Sequence, residues 1–136
     1  MMGKQVKSLD VESLQGLKNF VDENNIGIVS FNKVGGGVTS CPFFIQSLEL
    51  DGHLWFFVRK KGFVARAISY FPQVCIHTQD RDRHNFLSME GLASIEDDRL
   101  RAYEYWTPIF RSWFPEGLDD PNLGLMKVEV QQARFW

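Results

Sequence analysis

The sequence is poor in the groups that most often announce chemistry. It holds two cysteines, Cys41 and Cys75, and three histidines, His53, His77 and His84. Neither Cys-x-x-Cys nor a Cys/His zinc spacing occurs, and two thiols are too few for a disulfide scaffold. Both lie among apolar neighbours, so two buried thiols are expected rather than a bridge. The scattered histidines give no Ser-His-Asp order and are expected at strand ends and turns. No apolar run reaches the roughly 18 residues of a membrane span. The opening MMGKQVKSLDVES has no apolar signal core, so a cytoplasmic protein is expected. A net charge of −2 gives no field that would gather nucleic acid, and Arg59-Lys60-Lys61 is the one basic run. The glycines of KVGGGVTS lack the Lys-Ser/Thr of a phosphate loop and lead into a strand, so they mark a hairpin turn. Asp97-Asp98 falls at a helix start and Asp119-Asp120 in a turn before Pro121; neither pair has the pattern of acid-base work.

What the chain has in surplus is aromatic rings. Twelve Phe, four Trp and three Tyr in 136 residues suggest a Phe-rich core, a flat ligand or a sizeable interface. The length fits one domain, residues 1–136.

Hydrophobic spacing predicts a helix over Ser8–Glu23, with Ser8 or Asp10 as N-cap. A strand follows over Ile26–Phe31. Val38–Leu50 reads as one long strand, with Pro42 pointing to an edge or bulge. Asp51-Gly52 is a hairpin signal leading to a strand over His53–Arg59. A short helix is expected over Gly62–Tyr70 and a strand over Gln73–Thr78. Another strand spans Asn85–Glu96, where Gly91 suggests a bulge or sharp bend. Asp97–Phe110 reads as a helix bent or ended by Pro108, and Leu123–Val130 and Ala133–Trp136 as closing strands. Parallel βαβ alternation is absent. The order predicts an α+β, mainly β domain: a small antiparallel barrel with helices outside it.

Several segments together resemble a known family. DGHLWFFVRKKGFVARAI resembles the hairpin, strand and helix start of the pyridoxamine 5′-phosphate oxidase-like flavoproteins. YWTPIFRSWFPEGLDDPNL followed by LMKVEVQQARFW resembles the C-terminal part of their general stress protein 26-like branch. The likeness runs from about Ser8 to Trp136. It implies an antiparallel split β-barrel with flanking helices, working as a homodimer that binds FMN in clefts between subunits. It implies a redox enzyme acting on a small molecule, with no nucleic-acid or membrane partner. The implied flavin-facing positions are Cys41, Pro42, Phe43 and Phe44 on one strand and Phe57 and Val58 on the next, followed by Arg59, Lys60 and Lys61. Trp113 is implied as the ring nearest the flavin, reaching over the partner's cleft, with Phe114 beside it. The alternative is that Trp113 and Phe114 only staple their loop to the barrel.

The phosphate end departs from the pattern. Where relatives carry an Arg on the first flavin-facing strand this chain has Cys41, and a basic group entering the short helix is replaced by Gly62, Phe63 and Val64. Arg59, Lys60, Lys61 or Arg66 would have to replace these cations, or form a solvated basic turn. A second reading is therefore a split-barrel dimer with a degenerate cofactor site, serving as an accessory protein. A third gives the rings Phe43, Phe44, Phe56 and Trp106 to a dimer interface alone. True pyridoxamine-phosphate oxidation is not expected, because the C-terminal part offers only Lys127 and Arg134 for a substrate phosphate.

Overall fold

The computed structural model describes residues 3–6 and 8–136. Met1, Met2 and Lys7, part of the stretch read for a signal core, lie outside the described residues. Helix α1 spans Val11–Glu23 and buries Leu14, Leu17 and Val21. Its N-cap is Asp10, not Ser8: the Asp10 carboxylate accepts the Ser13 N–H at 2.9 Å, satisfying a donor the helix leaves free.

The strands are β1 (Lys4–Gln5), β2 (Ile26–Asn32), β3 (Val38–Phe44), β4 (Ser47–Leu48), β5 (His53–Arg59), β6 (Gln73–Asp80), β7 (Asn85–Glu96) and β8 (Leu123–Phe135). They form one antiparallel sheet in the order β3-β2-β6-β7-β8-β5-β4, with β1 on the far end of β8. The sheet curls until β3 and β5 face each other without pairing, and the Phe43 and Phe56 rings meet across the gap at 5.8 Å. This is the split of a split barrel. Its interior holds Val29, Phe31, Leu48, Leu54, Phe56, Ile76, Met89, Met126 and Val128, closed by α1 and by α2 (Phe63–Tyr70). Pro42 lies on the edge strand β3, where its missing N–H costs no ladder bond.

Apart from shifts of one to three residues at element ends, three elements differ from the sequence reading. Val38–Leu50 is not one strand. β3 stops at Phe44; the Ile45 N–H then bonds Asn25 O at 2.7 Å and the Gln46 N–H bonds Trp55 O at 2.8 Å. Buried Ile45 is thus the corner where the chain crosses from the β2 side to the β5 side. Asp97–Phe110 is not one helix. α3 covers only Arg99–Tyr105, Trp106 and Thr107 are extended, and a 3-10 turn spans Pro108–Ser112. Pro108 disfavours the helical region for the residue before it. The two closing strands are a single β8, with an irregularity opposite Glu90/Gly91. Glu90 pairs Gln132 and Gly91 pairs Val130, so Gln131 is the extra residue and the bulge lies on β8. That insertion leaves Gln131 and Gln132 both exposed and breaks the inside-outside alternation the sequence reading relied on.

Candidate functional site: the cleft between β3 and β5

A cleft of about 550 Å³ opens where β3 and β5 part. Cys41, Pro42, Phe43 and Phe44 form one side, and Phe57, Val58 and Arg59 the other. One end is closed by Gly62, Phe63 and Val64 at the start of α2; the opposite wall is Phe110, Trp113 and Phe114. β3 pairs only with β2, and β5 meets β4 only at Leu54 and Trp55. The facing edges of β3 and outer β5 therefore bring unpaired backbone donors and acceptors to the cleft, between apolar side chains. Such a cavity suits a flat ligand with polar edges.

Eight of the residues expected at a flavin line this one cleft: Cys41, Pro42, Phe43, Phe44, Phe57, Val58, Arg59 and Trp113. Lys60 and Lys61 do not. They are the corner residues of a turn closed by the Gly62 N–H on Arg59 O at 3.0 Å. The Lys60 ammonium instead pairs with Asp97 at 3.2 Å, and Lys61 is exposed. Arg66 is exposed on α2 and is not part of the lining. Among the described residues Arg59 is the one cationic side chain in the lining of the cleft. No side chain caps the first turn of α2, whose N–H groups give this end a partial positive charge.

Trp113 and Phe114 divide the two roles between them. Phe114 is 3% exposed and belongs to a second apolar cluster with Trp55, Phe57, Ala102, Phe110, Leu123 and Leu125, outside the barrel. Trp113 is 44% exposed and meets Phe44 edge-on and Phe110 at a tilt, each at 6.3 Å. The staple is Phe114 and the open ring is Trp113. Within its own chain Trp113 lines the cleft, because the 3-10 turn after Pro108 folds back beside Phe44.

Sequence reasoning missed Ile26 and Phe110 in the lining. Phe110 had a signal: Trp106, Phe110, Trp113 and Phe114 recur at helical spacing, and the rings of Trp106 and Phe110 meet Phe57 at 5.9 and 4.8 Å. Ile26 had none, since only strand pairing sets it opposite Phe44.

Burial pushes the Cys41 thiol above its ordinary value, which favours the protonated form at neutral pH. The most tightly knit charges lie elsewhere. Arg101 donates to Glu49 at 2.6 and 2.9 Å and to Asp98 at 2.8 Å, and it stacks 4.1 Å over Trp55. The Tyr105 hydroxyl donates to Glu49 at 2.6 Å. The hydrogen bond from Arg101 holds the Glu49 carboxyl below the usual range. Burial first, then the bond to Glu49, pushes the Tyr105 hydroxyl up to about 12. A smaller pocket of about 250 Å³ at the start of α3 is lined by Glu96, Asp97, Asp98 and Asp119. Each of these carboxylates has a basic partner: Lys127, Lys60, Arg101 and Arg99 respectively. Among the described residues no group of three or more His, Cys, Asp or Glu could hold a metal ion. No described helix is long and apolar enough to cross a membrane.

Comparison with known proteins matches this architecture. The general stress protein 26 of Bacillus anthracis superposes with a TM-score of 0.80 at 18% identity, covering 91% of this chain and 93% of that one. A Clostridium acetobutylicum protein related to general stress protein 26 gives 0.77 at 17% identity, covering 93% and 89%. The general stress FMN/FAD binding protein of Xanthomonas citri gives 0.74 at 22% identity, covering 96% and 89%. A search of curated proteins found no match. The family model described as pyridoxamine 5′-phosphate oxidase like matches residues 12–136, and the chain belongs to that family.

Proposed function

We propose that this protein binds a flavin, FMN in the first instance, in the β3–β5 cleft, and acts as a flavin-dependent oxidoreductase on a small molecule. The observation that carries the reading is the cleft itself: aromatic walls, two free strand edges and a cationic end in a chain of this family. The Xanthomonas citri neighbour, described as binding FMN/FAD, supports it. Phe44 and Trp113 would cover the ring system, and the edges of β3 and β5 would meet its polar rim. Arg59 and the first turn of α2 would receive the phosphate. When bound, the flavin supplies hydride or electron transfer, and the protein contributes binding, orientation and exclusion of water.

The functional unit in this proposal is a homodimer with the cleft at its interface. Ile26, Phe44, Phe63 and Trp113 are exposed along the cleft, and exposed Ile28 pairs in register with Pro42 beside it, more apolar surface than an isolated chain needs. The test is the visible spectrum of the purified protein followed by titration with FMN. A flavin spectrum or saturable binding is expected; a colourless protein that binds no FMN overturns the proposal. One observation favours a second reading, an accessory protein that has lost its cofactor: a single cation serves the phosphate end, and Cys41 supplies no charge there. A folded dimer that binds neither FMN nor riboflavin would establish that reading instead.

A further inference from the structure

Arg59–Gly62 is a tight turn whose place is not set by its own strand. The Lys60 N–H donates to Asn122 O at 2.9 Å, and the Lys61 N–H donates to the Asn122 side-chain oxygen at 2.8 Å. Asn122 thus takes up both corner N–H groups. It is itself fixed by Asp120, a carboxylate only 8% exposed, which accepts the Asn122 N–H at 2.9 Å and the Glu116 N–H at 3.2 Å. Gly117, at φ +66°, supplies the left-handed residue the loop needs there. The run from Trp113 to Asn122 therefore joins both ends of the cleft: Trp113 lines its aromatic wall, and Asn122 grips the turn that leads from Arg59 into α2.

We propose that Asn122 is a positioning residue for the phosphate end of the cleft, acting through the backbone of Lys60 and Lys61 to aim Arg59 at the ligand. The proposal rests on the flavin reading for the identity of the ligand, but the latch can be tested without it. With the Asn122 side-chain oxygen gone, the turn keeps only one of its two backbone hydrogen bonds to Asn122. The Lys61 N–H then turns to water and Arg59 loses a fixed direction, while the aromatic wall, held by buried Phe110 and Phe114, keeps its place.

The experiment compares the full-length protein with Asn122→Ala, titrating each with FMN and with riboflavin, which differ only in the phosphate. FMN affinity is expected to fall about tenfold, the scale of one charge-assisted hydrogen bond, and riboflavin affinity to stay the same. An equal loss for both flavins would mark Asn122 as a general structural residue and overturn the proposal; so would no change for either. Amide hydrogen exchange supplies the ligand-free arm. Residues 60–66 should exchange faster in Asn122→Ala and at the parent rate in Asn122→Asp, which keeps the acceptor, while β7 and β8 stay protected. Unchanged exchange at 60–66 in Asn122→Ala overturns the latch. If the parent protein binds neither flavin, the flavin reading fails, and the exchange arm still decides the latch.

Discussion

Neighbouring residues with similar side chains carry different burdens here, and burial tells them apart. Phe114→Ala should empty a well-packed site and lower stability by about 3–5 kcal/mol, read as a fall in melting temperature. Trp113→Ala removes a ring that is 44% exposed, so the melting temperature should stay close to the parent's while affinity for FMN drops. Cys41 offers the complementary test. It lines the cleft without charge, and Cys41→Arg should tighten FMN by about tenfold or more if a single charge-assisted bond forms, leaving riboflavin unaffected. The aromatic ring pair was conspicuous in the sequence, but which ring was buried was not: two adjacent residues just after a 3-10 turn diverge according to what lies on each side.

At the level of elements, the close contacts are between β7 and β8 and between α3 and the β4–β5 hairpin. A Cβ at Gly91 would run into the Glu129 carbonyl oxygen and the Val128 side chain, so Gly91→Ala should destabilise by about 1–3 kcal/mol in denaturant unfolding. The sequence placed a disturbance at Gly91; it could not say that the extra residue lies on the partner strand, because register belongs to the pair. α3, seven residues long, is too short to hold itself, and the Glu49–Arg101–Tyr105 cluster ties it to the hairpin. This cluster has a pH signature. Glu49 is held below the ordinary carboxylate value of 4.5, so its contribution is complete above that value and is lost as pH falls through the lower one. Tyr105 is raised from an ordinary phenol near 10 to about 12, so its contribution is complete below 10 and is lost as pH rises between those values. Ultraviolet titration should show one tyrosine ionising near 12, and Glu49→Gln should move it downward.

For the whole molecule, the proposed dimer puts exposed Ile28, paired in register with Pro42, inside an apolar face beside the cleft mouth. Light scattering should report a dimer, and Ile28→Lys should shift it toward monomer with a parallel loss of FMN binding. A parent protein that is monomeric at all concentrations would overturn the dimer proposal.

The sequence by itself determined most of the strand and helix order, pointed to an edge or a bulge at Pro42 and indicated the family. These follow from local patterning, turn residues and motifs that need no distant partner. It also brought out most of the cleft, since Cys41–Phe44 and Phe57–Arg59 are contiguous stretches. Only the tertiary structure decided which of three consecutive basic residues meets the cleft. In the sequence Arg59, Lys60 and Lys61 are equivalent charges. In the fold Arg59 ends a strand beside the gap, while its neighbours occupy the corner of a turn gripped by Asn122, sixty-one residues after Lys61. Direction at a chain reversal is fixed by what holds the reversal, and here that group comes from the far end of the chain.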